Sequence, residues 1–185
     1  MKSLICSDIH DHISNLENVL HIAVTSNCNS LIVCGDLCSP FIIDVINKNY
    51  PGPVHIIFGN NDGDQFNILN KCKSSNTNRA EDRMIQIHGP HLVKFKGSKL
   101  NGIPEHISLA VYHYPEPAES AFKSGDFDFI FYGHTHIPSL KPADNKLIAN
   151  PGSVMGYIPS NPSELAKPSC LIVDWDTGEN DLIEF

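Results

Sequence analysis

Two histidines lie one residue apart in the segment FYGHTHIPS, residues 131–139, directly after an aromatic and apolar run. Histidine binds divalent metal ions through a ring nitrogen, so His134 and His136 are candidate metal ligands. Taken alone the pair is weak evidence, because two histidines at this spacing also occur on exposed strand edges and as ordinary interior side chains. A metal site would need further donors from distant parts of the chain.

Such donors follow five apolar runs of strand length, each of which ends in a residue that can bind a metal ion. These residues are Asp8, Asp36, Asn60, His113 and His134. Because the carboxyl ends of strands in an open α/β sheet lie along one edge, we expect these side chains to converge there. With His10 and His136 the set has two aspartates, four histidines and one amide, but no thiolate. Such oxygen and nitrogen donors suit two divalent ions of the Mn, Fe, Co or Zn type.

The same segments resemble the motifs of the calcineurin-like metallophosphoesterases and occur in the order typical of that family. The motifs are D-x-H, G-D, G-N-x-D/E, H and G-H-x-H, and they contain Asp8, His10, Asp36, Asn60, His113, His134 and His136. The resemblance spans nearly the whole chain. The segment NPGS at 150–153 and the lack of insertions are similar to the small single-domain phosphodiesterase branch found in bacteria and archaea.

The resemblance implies a dinuclear metal centre with a divided set of ligands. One ion would be held by Asp8, His10 and His136, the other by Asn60, His113 and His134, with Asp36 as the bridge. Residues two apart on an extended segment face the same way about 6.6 Å apart, so His134 and His136 can serve ions roughly 3.5–4 Å apart. We expect two Mn²⁺ ions first, with Fe, Co, Ni or Zn as alternatives.

The reaction implied by the resemblance is hydrolysis of a small-molecule phosphodiester by in-line attack of a metal-bridging hydroxide. Asp36 and His134 would be the catalytic residues, acting through the metal centre. Two divalent cations, two aspartates and one hydroxide leave about one positive charge, which would attract an anionic phosphoester. The expected enzyme is therefore a metal-dependent phosphodiesterase.

Two positions depart from the family pattern and are candidate substrate-binding residues. Asn61 stands where many relatives carry a histidine that protonates the leaving group, and an amide cannot be a general acid. This departure disfavours substrates with demanding alkoxide leaving groups. Tyr114, followed by Pro115, stands where relatives commonly read H-G-H, and it would either contact the phosphate or close the pocket.

A non-catalytic protein-binding scaffold is the alternative function. One retromer subunit resembles this fold and binds proteins while its metal site is degraded, so a shared fold does not exclude this role. All seven ligand types are retained in the present chain, which favours the enzyme.

The elements that must position these residues are predicted from the apolar patterns. Strand-like runs alternate with helical patterns in the first third, which is typical of β-α-β units. The spacing of Ser14 and Glu17 predicts a capping box for the first helix, and Ser39 with Pro40 predicts the start of the second. The polar residues 63–82 predict an irregular surface connection, and beyond them only PAESAFKSG predicts a helix among further strands. The predicted fold is α/β, an αββα sandwich of two mixed β-sheets flanked by helices.

Length and composition narrow the class of protein further. The 185 residues predict a single domain, residues 1–185, and the net charge of −8 gives no sign of the basic face that duplex nucleic acid usually requires, so we expect no duplex nucleic acid as partner. No apolar run reaches the roughly 18 to 20 residues that a membrane helix needs. Six cysteines without a C-x-x-C pair predict free thiols in a reducing compartment, hence a cytoplasmic location. The sequence does not indicate the oligomeric state.

Overall fold

A computed structural model of the chain describes residues 1–143, 146–159, 161 and 166–185. The elements in these ranges are β1 (Lys2–Cys6), α1 (Ile13–Thr25), β2 (Ser30–Val33), α2 (Phe41–Asn49), β3 (Val54–Ile56), α3 (Gln65–Asn76), β4 (Ile85–Ile87), β5 (His91–Lys94), β6 (Leu109–Tyr112), α4 (Pro115–Ser124), β7 (Phe129–Phe131), β8 (Ser139–Ala143), β9 (Lys146–Asn150), β10 (Ser169–Asp174) and β11 (Asn180–Glu184). A short 3₁₀ turn, Glu81–Arg83, precedes β4.

Within the described ranges the strands form two mixed sheets. The first has the order β11-β10-β1-β2-β3-β4, and the second has the order β5-β6-β7-β9-β8. Strands β1 to β4 run parallel, as do β6, β7 and β9, while the flanking strands are antiparallel. Helices α1 and α3 pack against the first sheet and α4 packs against the second. The predicted αββα sandwich of two mixed sheets is confirmed.

The central strands read as continuous apolar runs because both of their faces are buried. Alternate residues point to opposite faces, so Leu4 and Leu31 pack under the helices while Ile5 and Ile32 face the second sheet. The side of the second sheet that faces α4 is covered by a smaller cluster that includes Ala118. Three apolar layers thus fix the two sheets, and the strands end together at the edges of the sandwich.

The prediction of an irregular connection over residues 63–82 is wrong, because α3 occupies Gln65–Asn76. Its buried stripe consists of Ile68, Cys72 and Ser75, which is too short and too polar to stand out as a helical pattern. The side chain of Asp64 caps the helix by accepting a hydrogen bond from the Asn67 N–H. Packing of one narrow stripe against α2 and β4, together with this cap, decides the local structure.

The predicted start of the first helix is also wrong. The helix begins at Ile13, and the Nδ1 of His12 caps it by accepting from the Asn15 N–H at 3.3 Å, so Ser14 and Glu17 do not form a capping box. A histidine cap carries no common sequence signal, whereas Ser14 followed by Glu17 does.

Two further boundaries differ from the sequence prediction. The cap position of α2 is Pro40, one residue later than predicted, because Ser39 instead donates its hydroxyl to Asp11 at 2.6 Å. Strand β8 was not predicted, since it is a largely exposed edge strand containing Pro142, a residue that cannot donate to a sheet ladder.

Two statements made from the sequence concern the cysteines, predicted to be free thiols, and membrane-spanning helices. All six cysteines are free thiols. In the part of the chain that the structure describes, none of the helices has the length and the apolar character needed to cross a membrane.

Candidate metal centre

The predicted ligands lie along one edge of the sandwich, where strands of both sheets reach their carboxyl ends. The loops after β1, β2, β3, β6 and β7 carry, in that order, Asp8, Asp36, Asn60, His113 and His134. His10 and His136 lie in the first and last of these loops. The structure therefore brings all seven predicted ligands to one edge.

One group of donors consists of Asp8, His10 and His136, whose ligand atoms all lie within 4.8 Å of one another. The Nε2 atoms of His10 and His136 are 3.2 Å apart, and Asp8 Oδ1 lies 3.4 Å from His136 Nε2. Cis ligands around an octahedral ion with bonds of about 2.1 Å stand about 3 Å apart. The spacing of these three donors therefore fits one divalent cation.

A second group is centred on the side chain of Asn60. Its Oδ1 lies 2.8 Å from His113 Nε2 and 2.9 Å from His134 Nδ1. These distances also match those between neighbouring ligands of one ion. The amide oxygen and two imidazole nitrogens thus form a second candidate site beside the first.

Asp36 lies between the two groups and is positioned to serve both. Its Oδ2 is 3.5 Å from His10 Nε2 and 3.4 Å from His113 Nε2. Burial acts to raise the pKa of Asp36, but hydrogen bonds from His113 and the Asn61 backbone outweigh it and lower the pKa to about 2. The carboxyl group is therefore anionic at neutral pH, as a metal ligand must be.

Two histidines are held in the tautomer that a metal ligand needs. His113 Nδ1 is 2.8 Å from the Cys34 carbonyl oxygen, and His136 Nδ1 is hydrogen bonded to the Tyr157 carbonyl oxygen. Because a carbonyl can only accept, each Nδ1 carries the proton and donates it. Each Nε2 then faces the donor group, and the proton that it shares with Asp36 or Asp8 would leave when an ion binds.

The backbone at this edge is strained in a way that the sequence does not reveal. Eight non-glycine residues in the described ranges have positive φ, and five of them are predicted ligands: Asp8, His10, Asp36, His134 and His136. Left-handed backbone costs such residues roughly 1–2 kcal/mol each. Strain of this kind persists where the surroundings hold it and commonly marks functional sites.

Two glycines allow the loops to approach one another closely. Gly35 has a φ of 99°, and a Cβ added there would lie 2.6 Å from His113 Nδ1. A Cβ on Gly59 would clash with Asp36 Oδ1. Both positions therefore require glycine for the bridging carboxylate and the His113 ring to share this edge.

The two predicted substrate-binding residues take different positions. Asn61 donates to both oxygens of Asp36, from its backbone N–H at 2.7 Å and from its side-chain amide at 2.8 Å, and it also lines the cavity at the site. Tyr114 is 42% exposed, and its ring lies edge-on against that of His134 with 4.7 Å between the ring centroids. Asn61 thus orients the bridging carboxylate, and Tyr114 forms part of the rim.

Asp62 is a residue of this site that the sequence analysis did not single out. Its carboxylate is buried and accepts hydrogen bonds from the backbone N–H groups of Asp36, Leu37, Cys38 and Gly59, at 2.7–3.0 Å. The loop after β2 is thereby tied to the loop after β3. The fourth position of the G-N-x-D/E motif was the available signal, but a motif does not state what its carboxylate binds.

Replacing Asp62 by asparagine is expected to lower both the metal content and the free energy of unfolding, the latter by about 2–4 kcal/mol. Asparagine keeps one acceptor oxygen and turns an NH₂ group toward buried N–H donors. Urea unfolding of the metal-free protein and elemental analysis measure the two effects. Asp128→Asn is the matched control, because Asp128 also accepts from a backbone N–H, that of Ser108, but precedes β7 and lies away from the loops that carry the ligands, so the metal content should not change. An Asp62→Asn protein that is folded and retains all its metal would contradict this role.

Comparison with known proteins adds a family assignment for nearly the whole chain. The family model described as calcineurin-like phosphoesterase superfamily domain matches residues 1–178. A phosphodiesterase of Methanocaldococcus jannaschii is 31% identical over 163 residues, which cover 88% of this chain and 90% of that protein.

Solved structures show the same fold. An archaeal phosphodiesterase aligns over 100% of both chains with a TM-score of 0.80 and 27% identity. Vacuolar protein sorting 29 from Cryptosporidium parvum aligns over 100% of this chain and 96% of its own, with a TM-score of 0.60 and 18% identity. At that identity the second likeness shows the fold alone.

Proposed function

The chain belongs to the calcineurin-like phosphoesterase superfamily, and we propose that it is a phosphodiesterase that depends on two divalent metal ions. The observation that carries the proposal is the position of Asp36, whose Oδ2 lies within 3.5 Å of nitrogens from both donor groups. One carboxylate oxygen shared by two sets of oxygen and nitrogen ligands is the arrangement that a paired metal site requires.

The residues present fit two cations of the proposed type. The donors are carboxylate, amide and imidazole groups at ligand spacing, which suit Mn²⁺ first and Fe, Co, Ni or Zn as alternatives. Asp8, His10 and His136 would hold one ion, Asn60, His113 and His134 the other, and Asp36 both. When bound, the ions would supply an activated water nucleophile and positive charge for the phosphate oxygens.

The charge of the cavity supports a requirement for metal. Among the described residues that line it, none is lysine or arginine, and Asp36 is anionic. Without cations this surface would repel a phosphodiester. The chain's own contribution is to fix the ligands: Asn61 orients Asp36, and the Cys34 and Tyr157 carbonyls orient His113 and His136.

The proposed partner is a small phosphodiester in the cytoplasm rather than duplex nucleic acid. A net charge of −8 gives no broad basic surface for a duplex, whereas the field of bound cations acts over only about 8–10 Å in salt. Free thiols at all six cysteines fit a reducing compartment.

A metal-reconstitution assay tests the proposed function. The protein is treated with chelator, divided, and supplied with Mn²⁺, Co²⁺, Ni²⁺ or Zn²⁺, and hydrolysis of bis(p-nitrophenyl) phosphate is followed by absorbance. We expect negligible turnover in the chelated sample and recovery with at least one metal. Equal turnover in the chelated sample, or none with any of the metals and several diesters, would overturn the proposal.

The rate is expected to depend strongly on the leaving group, because Asn61 cannot donate a proton to it. In the wild type, aryl diesters with activated leaving groups should be cleaved at least about 10²-fold faster than alkyl phosphates. The ratio of the two rates should be smaller in Asn61→His. Asn61→His should raise the rate on the poorer substrates. Asn70→His, which adds an imidazole on the exposed face of α3, is the control. Equal wild-type rates on both kinds of ester would show that another group supplies the proton.

A further inference from the structure

The donor groups lie in a cavity larger than a phosphate group needs. Its volume is about 450 Å³, within the range of roughly 300–1,000 Å³ typical of small-molecule sites. The cavity is lined by five of the candidate ligands, His10, Asp36, Asn60, His134 and His136, and also by Asn61, Thr135, Ile137 and Pro159. Space therefore remains beside the reacting phosphate for one of the groups esterified to it.

The lining contains both polar and apolar residues. Asn61 lies at Asp36, to which its side-chain amide donates, whereas Ile137 directly follows His136 in the chain. Ile137 is 49% exposed although it is a large aliphatic side chain, and Pro159 lines the same cavity. Exposed aliphatic surface gains free energy when an apolar group covers it.

The backbone near the two apolar lining residues, Ile137 and Pro159, is held by polar contacts. The Ile137 N–H donates to Thr135 Oγ1, which in turn accepts from the Asn150 amide at 3.0 Å. His136 and the Tyr157 carbonyl are hydrogen bonded, which ties the segment before Pro159 to the one that carries Ile137. The backbone of Ile137 and the segment leading to Pro159 are therefore tied to a candidate ligand, as a specificity surface requires.

We propose that Ile137 and Pro159 bind the ester group that stays on phosphorus, and that the substrate carries an apolar or aromatic group at that position. The proposal rests on the proposed phosphodiesterase function. The leaving group is assigned to Asn61, because this residue stands where the family's leaving-group histidine stands. The retained ester group is then assigned to the apolar residues, Ile137 and Pro159.

Two substrates with the same leaving group test this assignment. Phenyl p-nitrophenyl phosphate and methyl p-nitrophenyl phosphate both release p-nitrophenolate and differ only in the group that stays on phosphorus. Ile137→Ser is expected to lower the phenyl-to-methyl ratio of kcat/KM about fivefold or more, mainly through KM for the phenyl ester. Comparing the ratio between proteins cancels the difference in intrinsic reactivity of the two esters.

Two further variants make the result specific. Ile137→Leu keeps the apolar surface and should keep the ratio near the wild-type value. Val24→Ser removes a similarly exposed aliphatic side chain, 44% exposed, from the last turn of α1, and should leave the ratio unchanged. An unchanged ratio in Ile137→Ser, or an equal loss on both esters, overturns the assignment. Lack of wild-type turnover on both esters with every metal counts against the phosphodiesterase function itself, so the two failures are distinguishable.

Discussion

Replacing His113 by alanine is expected to lower kcat for bis(p-nitrophenyl) phosphate by about 10³-fold or more while the protein remains folded. Loss of an outer hydrogen-bond partner of a metal ligand typically costs 10–100-fold, and loss of the ligand itself should cost more. His113 Nε2 faces both Asn60 Oδ1 at 2.8 Å and Asp36 Oδ2 at 3.4 Å, so its removal affects the second donor group and the shared carboxylate together. Mn²⁺-dependent hydrolysis by the two proteins measures the effect.

His55 provides a matched control for the cost of removing a buried imidazole. Like His113 it is buried, and its ring is hydrogen bonded to a backbone carbonyl, that of Asn101 at 2.8 Å, but it lies on β3 away from the donor groups. His55→Ala should therefore lower stability without a comparable loss of kcat at a temperature where circular dichroism shows both variants folded. Comparable loss of kcat in the two variants would assign the effect to packing.

The same measurement separates the enzyme from a protein-binding scaffold. A scaffold would tolerate His113→Ala apart from local packing, and its wild type would show no metal-dependent turnover. The likeness to vacuolar protein sorting 29 extends only to the fold, whereas the sequence match to the Methanocaldococcus jannaschii phosphodiesterase reaches 31% identity. A His113→Ala protein with full activity would nevertheless reject the catalytic role of the second donor group.

The edge of the sandwich that carries the candidate site could be predicted from the sequence, because apolar strands end abruptly at residues of types that can bind metals. Strand β2 ends at Val33, and the polar Asp36 follows three residues later. Buried parallel strands must be apolar throughout, so a carboxylate just beyond such a run lies at the edge of the sheet. This argument places the ligands along one edge but does not give the distances between them.

The backbone conformation of the loops at the candidate site, and the contacts that stabilise it, could not be predicted from the sequence. Positive φ at Asp8 and His134 depends on contacts between loops, such as the bond from the His134 N–H to Asp8 Oδ2 at 3.0 Å. Asp62 likewise acts on residues more than 20 positions earlier in the chain. Local sequence patterns carry no information about such partners. Every residue type except proline offers a backbone N–H, so the sequence does not show which residues a carboxylate binds in this way.

The helix α3 and the separation of β4 and β5 into different sheets escaped prediction for different reasons. Only a narrow stripe of α3 is buried, so tertiary packing outweighs a weak helical pattern. Gly89 and Pro90 separate two strand-like runs, but β4 belongs to the first sheet and β5 to the second. A short turn between two strands does not state whether they pair, and only the packing of the finished sandwich decides it.

Replacing Asp36 by asparagine is expected to lower the affinity of the protein for each of the two metal ions by about 10²-fold or more. The change removes the negative charge shared by the two donor groups. It also places an NH₂ group near Asn61, whose backbone N–H and side-chain amide both donate to Asp36. Because an amide can accept through only one of its two atoms, one of these contacts becomes a contact between donors. Activity should fall with the metal content.

Elemental analysis of wild type and variant, purified without chelator and reconstituted with Mn²⁺, tests this expectation. Wild type should saturate at two ions per chain, and Asp36→Asn should retain fewer than one under the same conditions. The control is Asp11→Asn: Asp11 lies at the same edge, has positive φ and accepts hydrogen bonds from Ser39, but is not a predicted ligand. That variant should keep two ions. A wild-type value of one ion or none per chain would exclude the paired centre, because a carboxylate with a single cation beside it cannot bridge.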